Sequence, residues 1–148
     1  ENNIESKGMA AFGIMLKTNT NITRLQLSGN SGGDAGAESI ASALHHNQTL
    51  EHLTLCTNMI GNLGAEALAS ALRQNTTLQS LNLLNNDVSD TGAYASYNAL
   101  GKNKTLREAL VLKCNRVQTL GVEFLNTRRI TEVALSYEDV SWPPPSVS

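Results

Sequence analysis

A 28-residue period fixes what this chain can fold into: Ile22-x-x-Leu25-x-Leu27-x-x-Asn30 recurs as Leu50-x-x-Leu53-x-Leu55-x-x-Asn58 and as Leu78-x-x-Leu81-x-Leu83-x-x-Asn86. Self-similarity at such a period means stacked supersecondary units, none of which buries its apolar face alone. A fourth copy runs from Leu106 to Asn115, with Leu110 and Leu112 displaced by a one-residue insertion. A fifth, Ile130-x-x-Val133-x-Leu135, is degenerate and has Glu138 where Asn belongs.

The rest of each unit is helical. Ser6, Asp34, Asn62, Asp90 and Thr119 each stand four residues after the Asn position and are read as N-caps of the helices they open. Gly8, Gly36, Gly64, Gly92 and Gly121 follow two residues later. Leu16, Leu44, Leu72 and Leu100, with Phe12, Ile40, Leu68 and Leu125 one turn earlier, form a buried stripe at helical spacing, broken at Ser96 beside Tyr97. Strand, loop, helix and turn within one period make consecutive strands parallel, about 4.8 Å apart, with the bulkier helices stacked outside them. An α/β solenoid that curves towards its strands follows.

These residues resemble the leucine-rich repeat family, specifically its ribonuclease-inhibitor-like class, over residues 2 to 138. The resemblance implies a horseshoe segment with parallel β-strands on the concave face and α-helices on the convex face. It also implies that Asn30, Asn58, Asn86 and Asn115 form a ladder bonded to neighbouring backbone. Repeats are expected over 1–138, four to five units with the first incomplete, and a C-terminal tail over 139–148. The sequence opens at the ladder position, Asn2, without the strand that should come before it, so further sequence is expected upstream. An uncovered first strand leaves an edge open to edge-to-edge self-association. Towards the other end Trp142 is expected to plug the last apolar layer, and Pro143, Pro144 and Pro145 read as a spacer.

Composition excludes several classes of function. With 148 residues, 41% hydrophobic and 16% charged, the chain is sized and composed as one globular domain. Its 11 basic and 13 acidic residues give a net charge of -2 without a like-charge run, which argues against nucleic-acid binding. No stretch of 18 apolar residues is present, so no membrane role is expected. There is no GxxxxGK[ST], GxSxG, HExxH or paired CxxC, and neither an enzyme nor a cofactor is expected. The glycine-rich stretch 29–33 lacks the lysine of a phosphate loop and reads as a strand-to-helix turn. His45 and His46 close a helix while His52 and Cys56 belong to the next strand, so no metal site is expected.

Cys56 and Cys114 fall on the second and fourth strands, about 10 Å apart by the inter-strand spacing, too far for a disulfide. Two free thiols favour a reducing, cytoplasmic compartment. Four N-x-Thr sequons begin at Asn21, Asn47, Asn75 and Asn103. They are read structurally: Asn ends the helix in a left-handed conformation and Thr opens the strand.

Because the leucines point inward, alternation puts Arg24, Gln26 and Ser28, then His52, Thr54 and Cys56, then Ser80, Asn82 and Leu84, on the concave face. Val111 and Lys113 continue it. Five short strands expose about 300 Å² there, less than the ~800 Å² per partner of a standard interface, so loops must contribute to any complex. The expected function is a protein-protein interaction module, the recognition or autoinhibitory repeat region of a larger intracellular protein. It is similar in this to NOD-like receptors and ribonuclease inhibitor, and its partner is another protein. The same resemblance carries two alternatives: a GTPase-activating regulator similar to Ran GTPase-activating protein, and a cytoskeletal or axonemal scaffold similar to the tropomodulin repeats.

Overall fold

The computed structural model describes residues 2–107, 109–113 and 115–117, and the backbone of 133 and 134. Helices and strands alternate along the chain. They are α1 (Glu5–Thr18), β1 (Arg24–Gln26), α2 (Gly33–Leu44), β2 (His52–Thr54), α3 (Asn62–Leu72), β3 (Ser80–Asn82), α4 (Asp90–Lys102), β4 (Ala109–Val111) and β5 (Val133–Ala134). The strands form one parallel sheet in sequence order. Leu25, Leu53, Leu81, Leu110 and Val133 are successive partners across it. The insertion in the fourth copy is therefore absorbed before β4, and the degenerate fifth copy still supplies a strand.

The repeated leucines make the core. Leu50, Leu53, Leu55, Leu78, Leu81 and Leu83 are at most 1% exposed. Ile40, Leu44, Leu68 and Leu72 meet them from the helices in the same apolar cluster. Ser96, which interrupts that stripe, is buried and donates its hydroxyl to the Gly92 carbonyl at 3.0 Å. Tyr97 packs against the cluster beside it.

Between the leucines run polar ladders that close the backbone from one repeat to the next. Asn58 Oδ1 accepts the Asn30 and Gly32 amides at 3.3 and 3.2 Å, while its Nδ2 donates to the Leu27 carbonyl at 2.8 Å. Asn86 repeats the pattern with the amides of Asn58 and Ile60 and the carbonyl of Leu55, each at 3.0 Å. Asn115 takes the Val88 amide and gives to the Leu83 carbonyl. A buried amide side chain that fills donor and acceptor in this way removes the penalty of bare backbone groups in a loop.

Two expectations about the other polar residues are corrected. The first concerns the caps: the helices start one residue before Ser6 and Asp34 and at Asn62 and Asp90 themselves, and no N-cap side chain bonds its own helix. Asp34 Oδ1 instead accepts the Gly61 and Gly64 amides, at 2.7 and 2.9 Å, and so caps α3 from the repeat before. Asn62 Oδ1 does the same for α4 through the Ser89 and Gly92 amides, at 2.9 and 3.1 Å. With the helices stacked side by side, the first turn of the next helix lies within reach of a side chain that already points away from its own orphan amides. Thr119 lies outside the described residues.

The second concerns the sequons. Asn47, Asn75 and Asn103 are not left-handed; among the positive-φ positions, Gly29, Thr57 and Asn85 follow the strands and share one place in the repeat, with φ of 69°, 53° and 54°. Asn75 spans the repeats: Nδ2 donates to the Leu44 and Asn47 carbonyls, and Oδ1 accepts the Thr77 and Leu78 amides. Asn47 and Asn103 make the same set one repeat either side. The threonine is there to bond as well, since Thr77 Oγ1 lies 3.3 Å from Asn75 Oδ1.

Glycine 64 shows how closely the helices stack. A Cβ there would stand 2.7 Å from Ile60 Cγ2, 2.8 Å from Asp34 Oδ1 and 2.9 Å from Ala37 Cβ. Gly64→Ala is therefore expected to cost about 2 kcal/mol of stability, although alanine is the better helix former. Urea unfolding that shows Gly64→Ala to be neutral or stabilising would refute the tight approach of α2 to α3.

Candidate functional site

The face of the sheet turned away from the helices carries straight rows of side chains. Register sets Arg24, His52 and Ser80 in line with Ala109, and Gln26, Thr54, Asn82 and Val111 in the next row. Ser28, Cys56, Leu84 and Lys113 follow at the strand exits, tied by bonds from Gly29 to Cys56 and from Asn85 to Lys113. The eleven face positions read from the sequence thus come together as three rows. The backbone of Ala109 is in register with the first of them, a place that the insertion in the fourth copy shifts by one residue. On β2 and β3 the face positions are half-buried and the residues between them fully buried, as the alternation requires.

Chemically the face is mixed: Arg24 and Lys113 stand among Gln, Ser, His, Thr, Cys, Asn, Leu and Val, with no carboxylate among the eleven. His52 Nε2 stands 4.0 Å from Glu51 Oε2, Asn82 Oδ1 accepts the Leu84 amide at 2.9 Å, and Cys56 is a free thiol. Cys114, the other thiol of the sequence, lies outside the described residues. Among the described residues no three His, Cys, Asp or Glu side chains converge as a metal-binding group. No described helix is long and apolar enough to cross a membrane.

A groove of about 760 Å³ continues this face at the strand entrances. One wall is the row Thr23, Glu51, Gln79 and Arg107, each residue immediately before the first face position on β1, β2 and β3 or close before β4. The other is Thr20, Gln48 and Thr76, in which the Thr76 hydroxyl donates to Gln48 Oε1 at 3.0 Å. The sequence reading missed this groove, whose residues occur singly in each repeat. Their one available signal was recurrence at the period, and only the sheet register turns that into a wall.

Comparison with known proteins agrees with this architecture. A family model described as Leucine Rich repeat matches residues 18–41, 46–69 and 74–95. The chain is built of leucine-rich repeats. No curated protein matches it in sequence. Among solved structures, the array is similar to one titled Leiomodin-1 Actin-Binding Site 2, with 20% identity and a TM-score of 0.73 over 85% of this chain and 78% of that one. It is also similar to the tropomodulin C-terminal domain of Caenorhabditis elegans, with 13% identity and a TM-score of 0.72 over 88% of this chain and 83% of that one. At these identities the likeness is one of fold: a short leucine-rich repeat array with parallel strands and one helix per repeat.

Proposed function

We propose that this leucine-rich repeat array is a protein-interaction module, not an enzyme, and that its partner is actin or an actin-based assembly. The supporting observation is the likeness over 85% of the chain to a structure whose title names an actin-binding site. The open face and the groove beside it supply the surface: rows of Thr, Gln, Asn and Ser with few charges suit hydrogen bonding to another folded protein. We also assign the repeats to the ribonuclease-inhibitor-like class, since units spaced by 28 residues carry full α-helices of 11 to 14 residues.

Co-sedimentation with filamentous actin, paired with a binding titration against monomeric actin, tests the partner. Binding to one of the two forms is expected. Thr54→Arg combined with Ser80→Arg, which crowds two neighbouring rows without touching the core, is expected to weaken it tenfold or more at unchanged melting temperature. No binding to either form at on the order of 100 μM would exclude actin at the affinities useful to a transient complex. Unimpaired binding by the double variant would exclude the open face.

A further inference from the structure

The two rims of the array differ in charge. Parallel strands, each joined to the next through one helix, bring the helix ends and the strand entrances to the same side of the stack, made by residues 17–23, 45–51, 73–79 and 102–107. Lys17, Arg73, Lys102, Lys104 and Arg107 stand on that side, with Glu51 as its one carboxylate among the described residues. The first halves of the four helices, on the opposite rim, carry Glu5, Asp34, Glu38, Glu66 and Asp90 against the single cation Lys7.

The cations fall in a row. Lys17, His45 and Arg73 are spaced by 28 residues. Lys17 lies in the last turn of α1, His45 and Arg73 are the C-caps of α2 and α3, and Lys102 is the last residue of α4. A helix end attracts cations through its dipole, which accounts for one on each helix. It does not account for Lys104 and Arg107, which lie past α4 on the way to β4. Nor does the fold neutralise the row: among the described residues Lys17, Arg73, Lys102 and Lys104 make no ion pair.

The groove of about 760 Å³ runs beside these cations. Its wall of Thr20, Gln48 and Thr76 follows Lys17, His45 and Arg73 by three residues in each turn. At its far end Arg107 is tied by a bond of 2.7 Å from Nε to the Lys104 carbonyl. A repeat stacked on either end of the array lengthens this rim and does not cover it, so its occupant has to come from outside the stack.

We infer that the basic rim and its groove receive an extended acidic segment of another protein, laid across the repeats with its carboxylates set apart at the helix spacing. Stacked helices stand about 9 Å apart, and three residues of extended chain cover about 10 Å, so an acidic side chain at every third position meets one cation per repeat. Hydroxyls and amides of the groove wall bond the backbone between them. The wide spacing of the cations and the carboxylate of Glu51 in the wall suit separate carboxylates better than the dense charge of a phosphate chain. The inference rests on the reading of the array as an interaction module and adds the chemistry of the segment it holds.

The probe is a labelled ten-residue peptide of Glu, Ser and Gly with glutamate at every third position. Fluorescence anisotropy against the full chain is expected to show saturable binding that weakens as salt rises. Arg73→Glu should weaken it about fivefold and Arg73→Glu with Lys102→Glu tenfold or more. Arg73→Gln with Lys102→Gln, which spares the helix ends a negative charge, should weaken it in the same direction. Glu51→Gln should tighten it, and Lys7→Glu, the same charge change on the opposite rim, should leave it within about twofold. A peptide of the same composition with its glutamates consecutive should bind several-fold more weakly. No saturation by about 1 mM, equal binding of the two peptides, or an equal loss from Lys7→Glu overturns the inference. Displacement of the peptide by tripolyphosphate at lower concentration than by unlabelled peptide also overturns it, the site then being one for phosphate. So does self-association of the chain that Arg73→Glu abolishes, since the acidic rim of a second copy is then the occupant. The actin titration reads the open face separately, so either result can fail without the other.

Discussion

Asn58→Ala is expected to lower the unfolding free energy by about 3 kcal/mol or more, and Asn30→Ala by about 1 kcal/mol or less. The two side chains hold the same place in consecutive repeats, so local propensity cancels from the comparison. Asn58 is fully buried and truncating it strips the amides of Asn30 and Gly32 and the carbonyl of Leu27 of their partners. Each buried group left bare costs about 1 to 3 kcal/mol. Asn30 gives up one bond to the Ser28 carbonyl and removes an oxygen that already lacked a donor. Urea unfolding followed by circular dichroism, at similar slopes for the three proteins, measures the difference. Equal losses would mean that the ladder contributes through packing and not through its hydrogen bonds.

Leu81→Ala is expected to cost about 2 to 5 kcal/mol, the range of a leucine truncated in a rigid core. Leu81 is 1% exposed and lies between Leu53 and Leu110 on the neighbouring strands. Leu25→Ala, one sheet edge away and only partly buried, should cost about half as much or less. Because each repeat touches only its neighbours, the damage should stay local. Native-state hydrogen exchange is expected to show lost protection in the repeats around β3 and near-normal protection in α1. Uniform loosening along the array would mean that it unfolds as one cooperative unit.

The strands, the helices and the inward leucines could all be read from the sequence because each is coded by spacing alone. Two positions in three of Leu50, Leu53 and Leu55 settle a strand, and Ile40 with Leu44 settles a helix face. Side-chain partners are another matter. The sequence puts Asp34 at the right end of the right helix, yet the amides it holds belong to the next repeat, 27 and 30 residues on. Nothing local distinguishes the two outcomes; the stacking of α2 on α3 decides them. The repetition of Asn75 at the period likewise marks it as structural, but the turn preference that predicts a left-handed conformation for it is overridden by the cross-repeat bonds. The face rows followed from alternation except at Ala109, where the inserted residue moves the register. The groove at the strand entrances is visible only after the strands are aligned, and so was out of reach.

The cross-repeat bonds also set how the gene for such an array can change. Asp34 reaches 27 and 30 residues forward, Asn58 reaches 26, 28 and 31 residues back, and Asn75 reaches 28 and 31 residues back. All of these offsets straddle one period. Removing or duplicating 28 residues anywhere in the regular part brings an equivalent donor or acceptor to each vacated place. Removing 27 or 29 within a unit leaves carbonyls and amides bare in three ladders at once. The tolerated step in length is one whole repeat, and the single extra residue of the fourth copy sits where a strand entrance can absorb it.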